Sequence, residues 1–231
     1  MAAVTHLGSA TSSANGTSYA TASLTPAAGD LLVVIVAAPG TQATAPTMVE
    51  SAGGGTYTFI GRAIKATSAD ALYYFVRDTL CENATARTFT FDCTQDAATG
   101  CCIAVAKATG MFRAGLEAIR QSDPTDNAAA GGTPATVFPA VALTGNACIA
   151  AMSNAANPAT LTAPASFTEL FDGGSATPAN GLEYAGRDSG HTSATITWGS
   201  TSATAFCAFS VELDASARAV PPSLAVAPRI A

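Results

Sequence analysis

The sequence predicts an all-β protein, an antiparallel β-sandwich with a jelly-roll-like arrangement, built from two internally repeated halves with extended termini. Three observations lead to this prediction. Residues 30–38 form an apolar, valine-rich run between Gly29 and Pro39. Charged residues are only 11% of the chain, and short blocks of Ala, Thr, Ser and Gly dominate the rest. Segments with strand-like alternation then recur in the same order in both halves of the chain.

The run at residues 30–38 is predicted to be the central strand. It is apolar at both parities, which indicates burial on both faces. A helix is the rival interpretation, but the flanking glycine and proline and the β-branched residues favour a strand. The run has about half of the roughly 20 residues that a membrane-spanning helix needs, which excludes such a helix here.

The other strands of the first half follow from alternation and aromatic content. Residues 5–18, rich in Ser, Thr, Ala and Gly, are predicted to be an extended lead-in. Residues 41–55 contain Pro46 and three consecutive glycines and are predicted to be a loop. The predicted strands beside the central one are residues 18–25, 56–64, 71–77, 87–92 and 101–109.

The second half repeats this order with nearly constant spacing. Tyr74 and Tyr184 are 110 positions apart, and so are Arg77 and Arg187. Two explanations stay open: an internal duplication, or the periodicity that any two β units share. The corresponding segments are residues 135–143, 146–152, 166–171, 181–188, 195–198 and 206–211.

The predicted domain organisation has five parts. An extended N-terminal lead-in (1–17) precedes the first sandwich half (18–112), a linker (113–134), the second half (135–214) and an extended, Pro-rich C-terminal arm (215–231). Residues 111–120 are either a short helical turn or an extended excursion. The arm is either disordered or ordered against a neighbouring subunit. Its candidate assembly residues are Val220, Pro221, Pro222, Leu224, Val226, Pro228 and Ile230.

The charge and the N-terminus exclude some functions. The net charge is −6, and no cluster of Lys and Arg is present, which argues against binding to nucleic-acid phosphates. Residues 1–6 show neither the basic nor the apolar region of a signal peptide, so we expect synthesis in a reducing cytoplasm. The low charge leaves two surfaces possible: one that packs against other protein copies, or one that is hydroxyl-rich and solvated.

The cysteines are predicted to be buried free thiols. They form no CxxC pair, and only two histidines exist, so no zinc site is expected. Four of them lie in apolar strand-like runs, where cysteine acts as a small apolar residue. Cys81 and Cys93, on either side of a predicted hairpin, are the one pair considered for a disulfide. The six are Cys81, Cys93, Cys101, Cys102, Cys148 and Cys207.

No spacing in the sequence predicts a catalytic set, a metal site or a cofactor site. His6 lies in the predicted lead-in. His191 lies in a predicted turn and is expected to be a surface residue, with a general base as the alternative. The repeated doublets at 77–78 and 187–188, each Arg followed by Asp, are predicted to be ion pairs that close a turn, with a ligand-binding pair as the alternative. We therefore expect that the protein is not an enzyme.

The aromatic residues also have two interpretations. In strands of alternating parity they are predicted to pack in the core, and the alternative is a sugar-binding face. The residues concerned are Tyr57, Tyr73, Tyr74, Tyr184 and Trp198.

Several of these segments carry a resemblance to a known class of proteins. Residues 25–34 read Thr-Pro-Ala-Ala-Gly-Asp-Leu-Leu-Val-Val, residues 73–78 read Tyr-Tyr-Phe-Val-Arg-Asp, and residues 88–91 read Thr-Phe-Thr-Phe. Together with a closing Ala-Val strand they resemble tailed-phage virion structural proteins of the β-sandwich type. The resemblance covers roughly residues 18–110 and is weaker as far as residue 214.

The resemblance implies a capsid decoration (cement) protein in the virion, homo-oligomeric, in contact with the major capsid protein or other virion proteins. It implies no contact with nucleic acid or membrane. One alternative is a receptor- or glycan-binding module of a tail or head fibre, which predicts exposed aromatic residues such as Trp198. Another is a secreted or cell-surface sandwich enzyme or adhesin, which would need a signal peptide.

Overall fold

A computed structural model describes residues 2–39, 46–52, 54–65, 71–93, 98–158 and 160–216 of the chain. Within these ranges the protein consists of antiparallel strands and a 3-10 helix over Gly115–Ala118. The strands are β1 (Ala3–Gly16), β2 (Ser18–Ala20), β3 (Leu31–Ala38), β4 (Thr47–Glu50), β5 (Tyr57–Ile64), β6 (Ala71–Arg77), β7 (Phe89–Asp92), β8 (Ala98–Thr109), β9 (Ile119–Ala128), β10 (Ala135–Val137), β11 (Ala147–Asn154), β12 (Thr168–Ala176), β13 (Ala179–Arg187), β14 (Thr195–Thr197) and β15 (Phe206–Leu213).

The strands form four sheets, two in each half. The first main sheet has the order β1-β8-β3-β6-β5, and the second main sheet has the order β9-β15-β11-β13-β12. The first outer sheet is β2-β7-β4, and the second outer sheet is β10-β14. Every pairing is antiparallel, so the predicted fold class, an all-β protein of antiparallel sheets, is confirmed.

The two main sheets pack face to face and form the inner core. At the flanks, β1 packs against β12 and β5 packs against β9. Each outer sheet covers the other face of its own main sheet. Successive residues of β3 and of β11 point to opposite faces, so one set packs between the main sheets and the other packs under the outer sheet. The protein is therefore a stack of four layers, with β3 and β11 buried on both faces.

The inner core joins the two halves through aromatic contacts. The rings of Tyr74 and Phe209 lie edge to face with centroids 4.6 Å apart, a geometry that contributes about 0.5–1.5 kcal/mol beyond burial. The Tyr74 hydroxyl also donates to the Phe209 carbonyl at 3.1 Å. Because this bond is buried, losing either partner would leave a polar atom unsatisfied between the sheets.

The segments matched in the sequence occupy corresponding places in the two halves. Central β3 corresponds to β11, and its neighbours β8 and β6 correspond to β15 and β13. The edge strands correspond as well, β1 to β9 and β5 to β12. The contact of β1 with β12 is therefore equivalent to the contact of β9 with β5. Common ancestry of the halves and a jelly-roll connectivity both stay predictions.

Three segments differ from their predicted secondary structure. The predicted lead-in contains β1, which pairs with β8 along almost its whole length. The predicted linker contains the short 3-10 helix and then β9, which pairs with β15. Part of the predicted loop at 41–55 is β4, which pairs with β7. In β1 and β9, tertiary pairing overrides the weak strand propensity of the polar residues.

The predicted domain boundaries themselves stay a prediction. The C-terminal arm, with Val220, Pro221, Pro222, Leu224, Val226, Pro228 and Ile230, lies outside the described residues.

Candidate functional site

A cavity of about 370 Å³ opens beside β14 in the second half. Its wall is formed by the turn before β12, by the end of β13 with the turn that follows it, and by β14 itself. Arg187, His191 and Phe167 give it a cation, an imidazole and an aromatic ring. Hydroxyl groups of serines and threonines supply the rest of its polar lining.

Arg187 closes the turn that follows β13. Its Nε donates to the Ser189 carbonyl at 3.0 Å, and its Nη2 donates to the Gly190 carbonyl. The guanidinium carbon lies 6.0 Å from the centre of the Phe167 ring. The neighbouring Asp188 accepts a hydrogen bond from the Val4 amide at 2.7 Å. Arg187 thus closes a turn as predicted, but through carbonyl groups, and its predicted partner Asp188 bonds to β1.

His191 is buried in the cavity wall. Only 7% of it is exposed, so the prediction of a surface histidine was wrong. Its ring lies nearly perpendicular to that of Phe167, with centroids 5.6 Å apart. Burial and the nearby Arg187 guanidinium lower the pKa of His191, so the imidazole is neutral at pH 7. Within the described residues its buried Nε2 has no hydrogen-bond partner.

The corresponding place in the first half is filled by a buried ion cluster. The Glu50 carboxylate on β4 accepts from Arg77 Nη2 and from Arg87 Nη1, each at 3.0 Å, and from the Tyr57 hydroxyl at 2.9 Å. The Gly55 amide adds a bond at 2.8 Å, and a side chain at that position would overlap the Arg77 guanidinium. Burial would raise the pKa of Glu50, but these donors hold it below its ordinary value.

Arg77 also donates to the carbonyls of Thr79 and Leu80, two and three residues ahead, as Arg187 does in its own turn. The two arginines therefore have the same local role. The predicted Arg77–Asp78 ion pair was wrong, because the acidic partner of Arg77 is Glu50. Asp78 instead accepts from the Thr58 hydroxyl at 2.6 Å.

Two further buried carboxyl groups lie in the second main sheet. Glu212 accepts from the side chains of Arg120, Gln121 and Asn146, so its charge is well compensated. Glu183 accepts from the Leu161 amide at 2.6 Å, while its buried Oε1 has no partner within the described residues. Burial raises the pKa of Glu183 to about 8, and the charge of Asp172 on the paired strand acts in the same direction.

The structure gives each remaining candidate a structural environment. His6 is half-buried, stacked on Phe171, with its Nδ1 2.8 Å from the Tyr184 hydroxyl. Trp198, expected at the surface by the glycan-binding alternative, is only 3% exposed, so that expectation was wrong. All six cysteines are buried free thiols, as predicted. In the ranges that the structure describes, no three His, Cys, Asp or Glu residues come together as a metal site would require.

A second surface feature lies at the C-terminal end of β15. Phe112 is 66% exposed and Leu116 is 58% exposed, and both line an open cavity of about 540 Å³. Arg113, between them in sequence, forms an ion pair with Asp214 at 3.2 Å and donates to the Ser216 carbonyl. This apolar surface therefore lies beside the point where the chain enters its last fifteen residues.

Exposed apolar side chains also occur nearby in the second half. Val141 and Leu143 are each about half exposed. The Leu143 amide donates to Glu212 and the Val141 carbonyl accepts from Arg120, so this segment also borders the end of β15. We use the name C-terminal apolar surface for Phe112 and Leu116, which line the same cavity.

Comparisons of the chain with protein-family models, with curated proteins and with solved structures found no match. In the part of the chain that the structure describes, no helix has the length and apolar character needed to cross a membrane.

Proposed function

We propose that the protein is a virion structural protein of the capsid-decoration type, which binds the head shell through contacts between subunits. The observation that carries the proposal is the C-terminal apolar surface, which borders the start of the chain's last, Pro-rich segment. Exposed aromatic and aliphatic side chains in one region are typical of protein–protein interfaces.

The geometry supports joint action of this surface and the C-terminal segment. Arg113 holds the segment of Phe112 and Leu116 against Asp214 and Ser216. A partner that contacts Phe112 would therefore also lie near Ser216, where the described part of the chain ends. In a virion many copies act together, so modest affinity at each surface is sufficient for stable attachment.

The chain's low charge agrees with this function, since weakly charged surfaces cost less to desolvate in a subunit contact. The rest of the molecule supplies a body in which the two main sheets pack face to face. The resemblance of residues 18–110 to phage β-sandwich proteins supports the location in a virion. The partner is accordingly the major capsid protein or a further copy of the chain.

The test is co-sedimentation with purified phage head shells, combined with mass photometry of the free protein. Three chains are compared: the full chain, a truncation after Ser216, and the double variant Phe112→Ser, Leu116→Ser. The matched control is Val49→Ser, which removes an exposed apolar side chain 52% accessible on the first outer sheet. We expect loss of shell binding or self-association in the truncation and the double variant, but not in the control.

Equal binding by all four chains would refute the proposal, and so would the absence of any binding by the full chain. In the second case the receptor- or glycan-binding alternative would be tested with a glycan array. That alternative keeps one supporting observation, the hydroxyl-lined cavity beside Arg187, although Trp198 is buried.

A further inference from the structure

The two outer sheets differ by one strand. In the first half, β7 pairs with β2 on one edge and with β4 on the other. In the second half, β14 pairs with β10 on one edge. Among the described residues no strand pairs with its other edge along Thr195–Thr197, which lines the cavity there. Just beyond β14 on the same edge, the Gly199 amide donates to the Thr162 carbonyl at 2.8 Å. The cavity thus lies between the free part of this edge and residues 164–167, which form its opposite wall.

The hydrogen bonds between β10 and β14 show which peptide groups face this edge. The Phe138 amide donates to the Ala194 carbonyl, and the Trp198 amide donates to the Pro134 carbonyl. Because bonded residues alternate along an antiparallel pair, Ile196 bonds to Thr136, while Thr195 and Thr197 point their peptide groups away from β10. The Thr195 amide is occupied by the Ser193 hydroxyl at 3.0 Å. The Thr197 amide and the two carbonyls remain directed at the cavity.

The cavity also contains Arg187, the counterpart of Arg77 in the ion cluster of the first half. Arg77 has a carboxylate partner because β4 brings Glu50 to it. Arg187 ends the corresponding strand, and within the described residues it has no carboxylate partner and no bond from Nη1. Beside it, only 7% of His191 is exposed. Its Nε2 has no hydrogen-bond partner among the described residues. A cation and an unpaired imidazole nitrogen at one edge favour an anionic occupant.

We propose that the open edge of β14 binds an extended acidic peptide segment of a partner protein, which adds as a third strand and places a carboxylate on Arg187. Main-chain bonds to Thr195 and Thr197 would supply part of the affinity, as in other cases of strand addition. The carboxylate would take the place that Glu50 has in the first half. This binding surface is separate from the C-terminal apolar surface and does not depend on the function proposed above.

The first half supplies a suitable probe, because its own β4 completes the equivalent sheet. The probe is a fluorescein-labelled, capped peptide with the sequence of residues 46–52, Pro-Thr-Met-Val-Glu-Ser-Ala. Its matched control replaces the glutamate by glutamine. Binding to the full-length protein is followed by fluorescence anisotropy and by the emission of Trp198, the only tryptophan, which adjoins β14.

We expect the acidic peptide to bind about tenfold more tightly than the glutamine peptide, because a charge-assisted bond is lost. Arg187→Gln should remove this difference. Arg113→Gln, which affects an arginine paired with Asp214 outside the cavity, should preserve it. Since Arg187 also closes a turn, a second variant is needed. Thr197→Pro removes the amide that faces the cavity and keeps the pairing with β10, so it should weaken both peptides.

Three results would overturn the proposal. The first is no saturable binding up to about 1 mM peptide, which corresponds to about −4 kcal/mol. The second is equal affinity for the two peptides. The third is binding of N-acetylglutamate amide as tight as that of the peptide, which would make the cavity a site for small carboxylates rather than for a strand.

Discussion

Replacing Glu183 by Gln is expected to stabilise the protein at alkaline pH and to change little at acidic pH. Burial raises the pKa of Glu183 from 4.5 to about 8, so the folded protein binds this proton more tightly than the unfolded chain. The stabilising contribution is complete below about pH 4.5 and is lost as the pH rises through about 8. Glutamine imitates the protonated form at every pH.

The magnitude follows from linkage between the two states. The difference between 4.5 and about 8 sets an upper value of about 5 kcal/mol for the pH-dependent loss. Relaxation of the protein around the buried charge reduces this value, so we expect about 2 kcal/mol between pH 5 and pH 9. The Leu161 amide keeps an acceptor in the variant, because the glutamine side chain retains its carbonyl oxygen.

The assay is urea unfolding followed by Trp198 fluorescence at pH values from 5 to 9, for the wild type and for Glu183→Gln. The matched control is Glu82→Gln, an exposed carboxyl group in the first half. The wild type and the control should lose stability toward pH 9 by about 2 kcal/mol more than Glu183→Gln does. Parallel pH profiles for all three proteins would refute the reasoning.

Three further predictions concern buried groups. All six thiols are buried, and burial raises the pKa of Cys148 to about 12. Ellman's reagent should therefore find no reactive thiol in the native protein and six thiols in guanidinium. Fast labelling of the native protein would contradict this. Glu50→Gln should lower the unfolding free energy by about 3–5 kcal/mol, because it leaves the charges of Arg77 and Arg87 buried without a counter-charge. If Glu50→Gln lowered the unfolding free energy no more than the exposed control Glu82→Gln does, this prediction would be refuted. Tyr74→Phe should cost about 1–2 kcal/mol in urea unfolding, since a buried carbonyl loses its donor, and an unchanged midpoint would contradict this.

The buried strands could be predicted from the sequence because their own residues carry the signal. The apolar run at 30–38 and the aromatic run at 71–77 have no polar face, and both lie inside four layers. The edge strands β1 and β9 could not be predicted in this way. β1 and β9 are rich in polar residues, and Pro124 in β9 is tolerated because an edge strand needs bonds on one side only. Their pairing depends on β8 and β15, which are distant in sequence.

The cavity beside Arg187 was less accessible to sequence reasoning. The repeated Arg-Asp doublets did mark the ends of corresponding strands. The partner of Arg77 is Glu50, 27 positions upstream on the four-residue strand β4. The nearby glycines predict a loop there. Nothing local distinguishes a buried histidine in a turn from an exposed one, so the position of His191 required the packing of the turn against Phe167.

The face-to-face packing of the two main sheets has a consequence for how the halves can change. One half by itself would expose an apolar face, and the natural cover for that face is the equivalent face of a second half. Two separate, identical halves would assemble as a two-fold symmetric dimer, in which every substitution appears twice. A covalent connection removes that constraint. One half can then keep a strand with Glu50 buried at its end, while the other has a cavity beside Arg187 without losing the shared core.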